Sequence, residues 1–289
     1  MKQTSAIIVS AVVLHLLWAG ASPGRAQSLA HEGFDYPTNL TLINNTATGY
    51  GFTNNWREFV SGNDTAVVTN SLSYTDLNGR GVDVTGNKVQ ILGGNTGRTM
   101  DTNAGGLFGL NGYLDSAGNI GADGETLYAS LLFKYVNTNG QYSSPLTLQR
   151  DGDADGNMVF QIQTDQQNRL AIYDRVDSIA QLTSGPVDTN THFIVLKFVF
   201  NSGDDSVYGY LDPTNLLAEP TLATASLLGA GDFSFDRISF GDFQGANDPF
   251  VDEIRFGGTW SSVIPEPGTW AAMALALLGA LGWRARRRS

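Results

Sequence analysis

The sequence predicts an all-β fold, a β-sandwich, and three observations lead to this prediction. Residues 127–136 and 192–200 alternate with period two and are apolar on both faces, which is typical of central strands. Turn dipeptides such as Asn78-Gly79 and Asp212-Pro213 separate shorter segments of the same kind. The 34 glycines follow no fixed period, and no linker interrupts the pattern. We therefore predict a single sandwich over residues 27–263.

The other predicted strands are shorter and are bounded by similar turn signals. They cover residues 67–74, 88–92, 146–150, 158–163, 170–174, 207–211, 234–240 and 250–256. Only the leucine-rich residues 214–228 are predicted to include a short helical turn. The domain is thus expected to contain almost no helix.

The first 26 residues have the pattern of a secretory signal peptide. Lys2 supplies a positive charge, and residues 6–18 form an apolar stretch that is too short to span a membrane. A small-residue site follows and ends at Ala26. We predict export by the Sec machinery with cleavage after Ala26, and a retained N-terminal anchor is the alternative.

The other end of the chain predicts a single transmembrane helix. Residues 268–283 carry no charge, with Trp270 and Trp283 near the two ends of the stretch, and would form a helix of roughly 24 Å. An arginine cluster at residues 284–288 follows at once. Positive flanks stay in the cytoplasm, so the body is predicted to lie outside it.

This tail also resembles a known sorting signal. Pro265-Glu266-Pro267, the apolar helix and the terminal arginines together resemble the PEP-CTERM tail of Gram-negative bacteria. The resemblance implies that residues 264–289 are recognised by an exosortase, a membrane peptidase that cleaves near the triplet. The protein would pass through an inner-membrane intermediate and then reach the cell surface or the medium.

The body resembles concanavalin A-like (laminin-G-like) domains. The resemblance rests on residues 32–37, residues 49–52, Trp56, residues 127–133, residues 193–213, residues 251–257 and Trp260. It implies a single jelly roll of two sheets. That fold carries lectins, carbohydrate-binding modules and glycosidases, so the resemblance alone does not decide the function.

Composition limits the compartment and the partners. The chain has no cysteine, so in an oxidising compartment its stability must come from the core. Its formal net charge is −11. The body is more acidic still, because several basic residues belong to the terminal segments: Lys2, Arg25, Arg284, Arg286, Arg287 and Arg288. Such a surface repels nucleic acid, and we predict no nucleic-acid partner.

Catalytic motifs are missing from the body. A glycosidase needs two carboxylates about 5–10 Å apart across a cleft. The nearest pair on a strand is Asp252-Glu253, which alternation predicts to point to opposite faces. The body has two histidines, His31 and His192, and no Gly-x-Ser-x-Gly motif. We predict a non-catalytic protein, with a secreted carbohydrate-active enzyme, a glycosidase or lyase on a glucanase-like jelly roll, as the alternative.

Two sets of carboxylates are candidate Ca²⁺ ligands. Asp151, Asp153 and Asp155 alternate in a loop, as hard oxygen ligands for Ca²⁺ do, but Ile162 stands where an EF-hand has glutamate. The alternative is a polar hairpin turn. The resemblance to jelly-roll domains also implies a structural Ca²⁺ where the first and last strands meet, with Glu32 and Asp252 at the matching positions.

Aromatic side chains are the candidate carbohydrate ligands. Tyr50, Trp56 and Tyr142 could form a platform for a sugar ring, although most aromatic residues of a sandwich belong to its core. Together these observations predict an exported, non-catalytic protein of the cell surface or extracellular matrix with exopolysaccharide as a possible ligand.

Overall fold

The computed structural model of the protein describes residues 28–38, 40–43, 45, 48–60, 65–138, 142–152, 157–242 and 248–264. The predicted signal-peptide site at Ala26, the Pro265-Glu266-Pro267 triplet and the predicted transmembrane helix lie outside these residues. Within them, no helix has the length and apolar character required to cross a membrane.

The regular secondary structure of the described chain is almost entirely β-strand. In chain order these are β1 (Ser28–Glu32), β2 (Phe52–Val60), β3 (Ala66–Val68), β4 (Lys88–Gln90), β5 (Gly94–Met100), β6 (Thr126–Lys134), β7 (Ser143–Gln149), β8 (Met158–Thr164), β9 (Arg169–Asp174), β10 (Ile179–Pro186), β11 (His192–Val199), β12 (Asp205–Leu211), β13 (Ala225–Ala230), β14 (Arg237–Asp242) and β15 (Phe250–Gly257). Two short helices, α1 (Leu107–Leu110) and α2 (Trp260–Val263), complete the fold.

The strands form two antiparallel sheets. The first sheet has 8 strands in the order β13-β12-β11-β6-β15-β4-β3, with β1 paired to β15. The second has 7 strands in the order β10-β9-β8-β7-β14-β5-β2. The prediction of a single all-β sandwich is confirmed.

The inner faces of both sheets form one large apolar core. Phe160 of the second sheet contacts Phe198 of the first, with ring centroids 5.3 Å apart, and Phe233 packs against both. A smaller apolar cluster lies on the outer face of the first sheet; it includes Leu132, and in it the Phe193 ring packs on Tyr74 and the Tyr210 ring on Trp260. This second cluster explains why β6 and β11 are apolar on both faces.

The two central strands were predicted correctly, and the predicted segment 67–74 was wrong beyond Val68. Five further strands, β1, β2, β5, β10 and β13, escaped prediction. The segment 214–228, which was predicted to include a short helical turn, contains no helix and ends in β13. The two short helices, α1 and α2, lie elsewhere in the chain.

A bulge in β15 changes the direction of one acidic side chain. Val251 and Ile254 both belong to the inner core, so two residues lie between them on the outer face. Glu253 has a φ of 52°, and the register with β6 shifts at this point. The prediction that Asp252 and Glu253 point to opposite faces was therefore wrong, because a bulge breaks simple alternation.

Candidate functional site

The outer face of the seven-stranded sheet is polar. In β7, Leu146 and Leu148 belong to the inner core, so Thr147 and Gln149 point outward. The same alternation in β14 places Ser239 on this face, because Ile238 and Phe240 point inward. Sheet register therefore collects hydroxyl and amide side chains on one face of the sheet, where Thr147, Gln149 and Ser239 are 0 % exposed.

One row of residues crosses this face from strand to strand. The cross-strand neighbours are, in order, Tyr173, Gln161, Thr147, Ser239, Gly97 and Arg57. Because neighbouring strands lie about 4.8 Å apart, the row is roughly 24 Å long. We call the central part of this surface the amide face and define it by Asn95, Thr147, Gln149, Gln161 and Ser239.

Part of the amide face is held by internal hydrogen bonds. Gln161 Nε2 donates to Thr147 Oγ1 at 3.2 Å, and Thr147 Oγ1 also lies 2.8 Å from Ser144 Oγ. These contacts fix the rotamers of both hydroxyl groups and of the Gln161 amide. The central row is therefore ordered before any ligand arrives.

The rest of the amide face has unused hydrogen-bonding capacity. Both amide atoms of Gln149, both of Asn95 and the hydroxyl of Ser239 are buried and have no hydrogen-bond partner within the described part of the chain. A buried polar group without a partner costs about 1–3 kcal/mol. Unpaired groups of this kind call for an explanation, and contact with a ligand rich in donors and acceptors is one, although these side chains are only 0–1 % exposed in this structure.

An aromatic ring and an arginine lie at each end of the row. At one end the ring of Phe59 packs directly on Gly97, where any side chain would collide with it, and Arg57 lies 5.5 Å from the ring centroid. At the other end Arg175 lies 5.0 Å from the ring centroid of Tyr173. Each pair combines a flat apolar surface with charged donors, which suits the apolar face and hydroxyl groups of a sugar.

The structure places the three predicted aromatic ligands in different environments. Trp56 is fully buried, and its Nε1 donates to Glu32 Oε2 at 3.2 Å, so its role as a sugar platform was wrong. Tyr50 is 45 % exposed and lies beside His31 of β1, whereas Tyr142 is 38 % exposed and precedes β7 in the other sheet. The structure does not bring the three aromatic residues together.

The proposed calcium ligands at the first and last strands do not converge. Glu32 points into the core, where its carboxylate receives hydrogen bonds from Phe34 N, Tyr36 Oη and Trp56 Nε1 and pairs with Arg98 at 2.6 Å. Asp252 points to the outer face of the same sheet, so the two carboxylates lie on opposite sides.

Of the three aspartates in the predicted calcium loop, the structure describes only Asp151. Asp151 is exposed with its carboxylate 3.6 Å from Arg150 Nε, and Asp153 and Asp155 lie outside the described residues. No group of three or more candidate metal-ligating side chains occurs in the part of the chain that the structure describes.

The acidic pair of β15 is enclosed. Asp252 accepts hydrogen bonds from Leu72 N and from Glu253 N, and Glu253 contacts Thr85, His31 and Arg255. Burial and the nearby Glu253 charge raise the pKa of Asp252 to about 8. Burial also raises the pKa of Glu253, but the bonds and charges of His31, Arg255 and Thr85 outweigh it and hold that pKa below its usual value.

Sequence reasoning missed the amide face, although a signal for it exists. In β7, β8 and β14 one set of alternate positions is apolar and the other carries Thr, Gln and Ser. A surface strand more often carries charged side chains at such positions. An uncharged polar set shared by three strands was the available clue.

Comparisons with known proteins add the C-terminal segment. Residues 263–288 match the model of the PEP-CTERM protein-sorting motif. The search of curated proteins gave no match.

Solved structures with similar folds include three of different kinds. The globular domain of Trypanosoma cruzi calreticulin is 11 % identical, with a TM-score of 0.45 over 82 % of this chain and 90 % of its own. Trypanosoma rangeli sialidase is 11 % identical, with a TM-score of 0.37 over 68 % of this chain and 30 % of the sialidase, so this chain spans under a third of that enzyme.

The third is a carbohydrate esterase of the Shiga toxin-encoding bacteriophage phi24B, 16 % identical, with a TM-score of 0.36 over 71 % of this chain and 90 % of the esterase. Similarity at this level carries no information about activity or ligand. The sorting motif concerns location alone: the chain carries a PEP-CTERM protein-sorting motif at residues 263–288, which marks it as an exported protein sorted by an exosortase.

Proposed function

We propose that the protein is a non-catalytic component of the cell surface or extracellular matrix that binds exopolysaccharide through the amide face, whose five side chains are 0–2 % exposed and have to be uncovered before a glycan reaches them. The single observation that carries this proposal is the set of buried, unpartnered groups of Gln149, Asn95 and Ser239 on one polar surface. The sorting motif supplies the location, because it directs the protein to the surface where such polysaccharides are found.

The chemistry of the amide face fits a glycan better than other ligands. Amide and hydroxyl groups both donate and accept hydrogen bonds, which matches the hydroxyl groups of a sugar. The five residues of the face carry no charge, so they offer nothing specific to a phosphate or a metal ion. The length of the row, roughly 24 Å, suits several linked sugar units and not a single small molecule.

The absence of catalysis is part of the proposal and has its own support. Asp252 and Glu253 share a face, but both are buried beneath the segment that contains Leu72 and Thr85. As on the amide face, the covering chain would have to move before a substrate reached either carboxylate. Nothing on the amide face can act as a general acid at neutral pH.

Gln149→Leu tests the proposal because its expected effects on stability and on glycan binding differ in sign. Removing an unsatisfied buried amide is expected to maintain or raise stability, while glycan binding should fall at least tenfold. We suggest measuring retention of the full-length chain in detergent on immobilised exopolysaccharide from the producing host, together with thermal unfolding.

Gln166→Leu makes the same chemical change in the exposed β8–β9 turn and should leave binding intact. Wild-type binding by Gln149→Leu would contradict the amide face as the site. Release of reducing sugar or unsaturated products from the polysaccharide by the wild-type chain would contradict the non-catalytic part.

A further inference from the structure

A pocket lies on the opposite side of the sandwich, on the outer face of the eight-stranded sheet. It has a volume of about 590 Å³ between β11, β12, β13 and the segment that follows β12. Ligand pockets commonly measure about 300–1,000 Å³. We call it the Glu219 pocket and define it by Lys197, Tyr208, Tyr210, Glu219, Leu222 and Ser226.

Sheet register builds the floor of the Glu219 pocket. Lys197, Tyr208 and Ser226 are direct cross-strand neighbours on β11, β12 and β13. Leu196 and Val207 belong to the inner core, so Lys197 and Tyr208 point outward. Tyr128 of β6 extends the same row beyond Lys197.

Glu219 organises the charged centre of the pocket. Its Oε1 accepts from Lys197 Nζ at 2.9 Å and from Tyr210 Oη at 2.6 Å, and its Oε2 accepts from Tyr128 Oη at 2.7 Å. Burial works to raise the pKa of Glu219, but these hydrogen bonds and the Lys197 charge outweigh it and lower that pKa. The carboxylate is therefore ionised and held in one position at neutral pH.

The centre keeps capacity for a ligand. A carboxylate has about four lone-pair sites and an ammonium has three protons; three of the former and one of the latter are used by the contacts above. Lys197 also lies 6.0 Å from the ring centroid of Tyr208, which is half-buried and lines the pocket. Ser226 adds a hydroxyl group, and Leu222 forms an exposed apolar rim.

This combination fits a pyranose unit. Its C–H face can lie on the Tyr208 ring, its hydroxyl groups can donate to Glu219 and accept from Lys197, and its edge can contact Leu222. An isolated anion would meet the fixed Glu219 charge, and an isolated cation would meet Lys197. A neutral, hydroxyl-rich ligand satisfies both charges at once.

We propose that the Glu219 pocket is a second glycan site. The protein would then bind polysaccharide on both outer faces of the sandwich and cross-link two polysaccharide chains. The cross-linking rests on the function proposed above for the amide face. Two packed sheets separate the sites, and packed sheets lie about 10 Å apart, so one extended polysaccharide chain cannot follow both faces. A protein that holds two polysaccharide chains binds the polysaccharide with higher avidity than either site alone, without any new contact.

Ser226→Leu is the central variant, because it fills the pocket without removing any partner of Glu219. Leucine suits a half-buried position on an edge strand, and thermal unfolding should match wild type. Ser206→Leu, on the same face of β12 but outside the pocket lining, is the matched control. Glu219→Gln is a second variant that keeps the shape and removes the charge.

The measurement is calorimetric titration of the full-length chain in detergent with oligosaccharides obtained by partial hydrolysis of the host exopolysaccharide. We expect two binding sites for wild type and Ser206→Leu, one for Ser226→Leu and for Gln149→Leu, and none for the double variant. Wild type should also raise the viscosity of intact polysaccharide, whereas either single variant should bind it without raising the viscosity.

The two proposals fail in different ways. Unchanged stoichiometry and affinity in both Ser226→Leu and Glu219→Gln would overturn the Glu219 pocket and leave the amide face standing. Loss of a site in Ser226→Leu with no effect of Gln149→Leu would overturn the amide face and the cross-linking, and keep the pocket. No binding by wild type would overturn both.

Discussion

The guanidinium of Arg98 lies 2.6 Å from the carboxylate of Glu32, and neither side chain is more than 1 % exposed. Arg98 also donates through Nε to the carbonyl of Asn54 at 3.0 Å. The pair ties β1 of the first sheet to β5 of the second across the core. Hydroxyl, indole and amide groups donate to Glu32, and the Phe52 ring centroid lies 4.8 Å from the Arg98 guanidinium.

The first prediction concerns this ion pair. Arg98→Met should lower the free energy of unfolding by about 3–5 kcal/mol, because it leaves the Glu32 charge buried without its partner. Denaturant unfolding measures the change. Arg150→Met removes one partner of an exposed pair and should cost at most about 1 kcal/mol. Equal losses in the two variants would contradict the role of the buried pair.

The second prediction concerns the core and the domain boundary. Leu131 is fully buried in the inner core, so Leu131→Ala should cost about 2–5 kcal/mol by creating a cavity. Leu77→Ala, at an exposed position, should cost little. Residues 27–264 should unfold in one transition, followed by circular dichroism. Two separated transitions would contradict a single domain.

The third prediction concerns pH. The pKa of Asp252, raised to about 8, lies above its ordinary value near 3.9, so between these values the folded state binds a proton that the unfolded state does not. The free energy of unfolding should therefore fall as pH rises from about 4 to about 8. Glu253, with a lowered pKa, acts at lower pH and does not offset this trend.

Asp252→Asn should flatten this part of the stability profile, measured by denaturant unfolding at several pH values. The asparagine keeps one of the two acceptor oxygens that bind Leu72 N and Glu253 N. A slope equal to that of wild type would show that Asp252 does not titrate in this range.

The fourth prediction concerns sorting. In the producing host, mass spectrometry of the surface protein should find a new C-terminus within or after Pro265-Glu266-Pro267. The structure limits how far upstream cleavage can occur, because Val263 and Ile264 are buried and the carbonyl of Val263 accepts a hydrogen bond from Ser130 Oγ at 2.7 Å. Cleavage before residue 264 would remove part of the packed body.

Replacing Pro265-Glu266-Pro267 with three alanines should leave the protein in the inner membrane. A replacement of equal length at the exposed, turn-forming residues 202–204 is the control and should reach the surface. Intact arginines at residues 284–288 on wild-type surface protein would contradict processing.

The fifth prediction concerns calcium. If Asp151, Asp153 and Asp155 bind Ca²⁺, millimolar Ca²⁺ should raise the melting temperature, since extracellular sites often have Kd values of about 10⁻⁴–10⁻³ M. Asp153→Ala should abolish the rise, and Asp252→Asn should not affect it. If the melting temperature of the wild-type protein responds equally to Ca²⁺ and Mg²⁺, or to neither, the three aspartates form a polar turn and not a calcium site.

The strands that were predicted and those that were missed differ in what covers their faces. Central strands such as β6 are apolar on both sides, so the sequence reveals them without further information. The strand β5 carries Asn95 of the amide face on one side and Arg98 on the other, and β2 carries Arg57 on one side and Trp56 on the other. Their inward positions include polar atoms that only tertiary pairing satisfies, and periodicity cannot reveal such pairing.

The candidate sites depended even more on tertiary contacts. Trp56 became a core residue because Glu32, 24 positions away, accepts its indole proton. The direction of Glu253 depends on a positive φ at a residue other than glycine, which no local pattern indicates. Lys197 and Tyr208 lie on neighbouring strands, but Glu219 reaches them from a segment without regular structure, so spacing could not predict that pocket.

The position of β15 has a consequence for the timing of folding during export. This strand lies inside the eight-stranded sheet, paired with β6 on one side and with β4 and β1 on the other. Ser28 in β1 donates to the carbonyl of Phe256, 228 positions later in the chain. The first sheet therefore cannot close until nearly the whole body has crossed the membrane, and long-range pairing of this kind is slow. The β7–β10 strands, by contrast, pair with their neighbours in sequence, so the second sheet can begin to form earlier than the first.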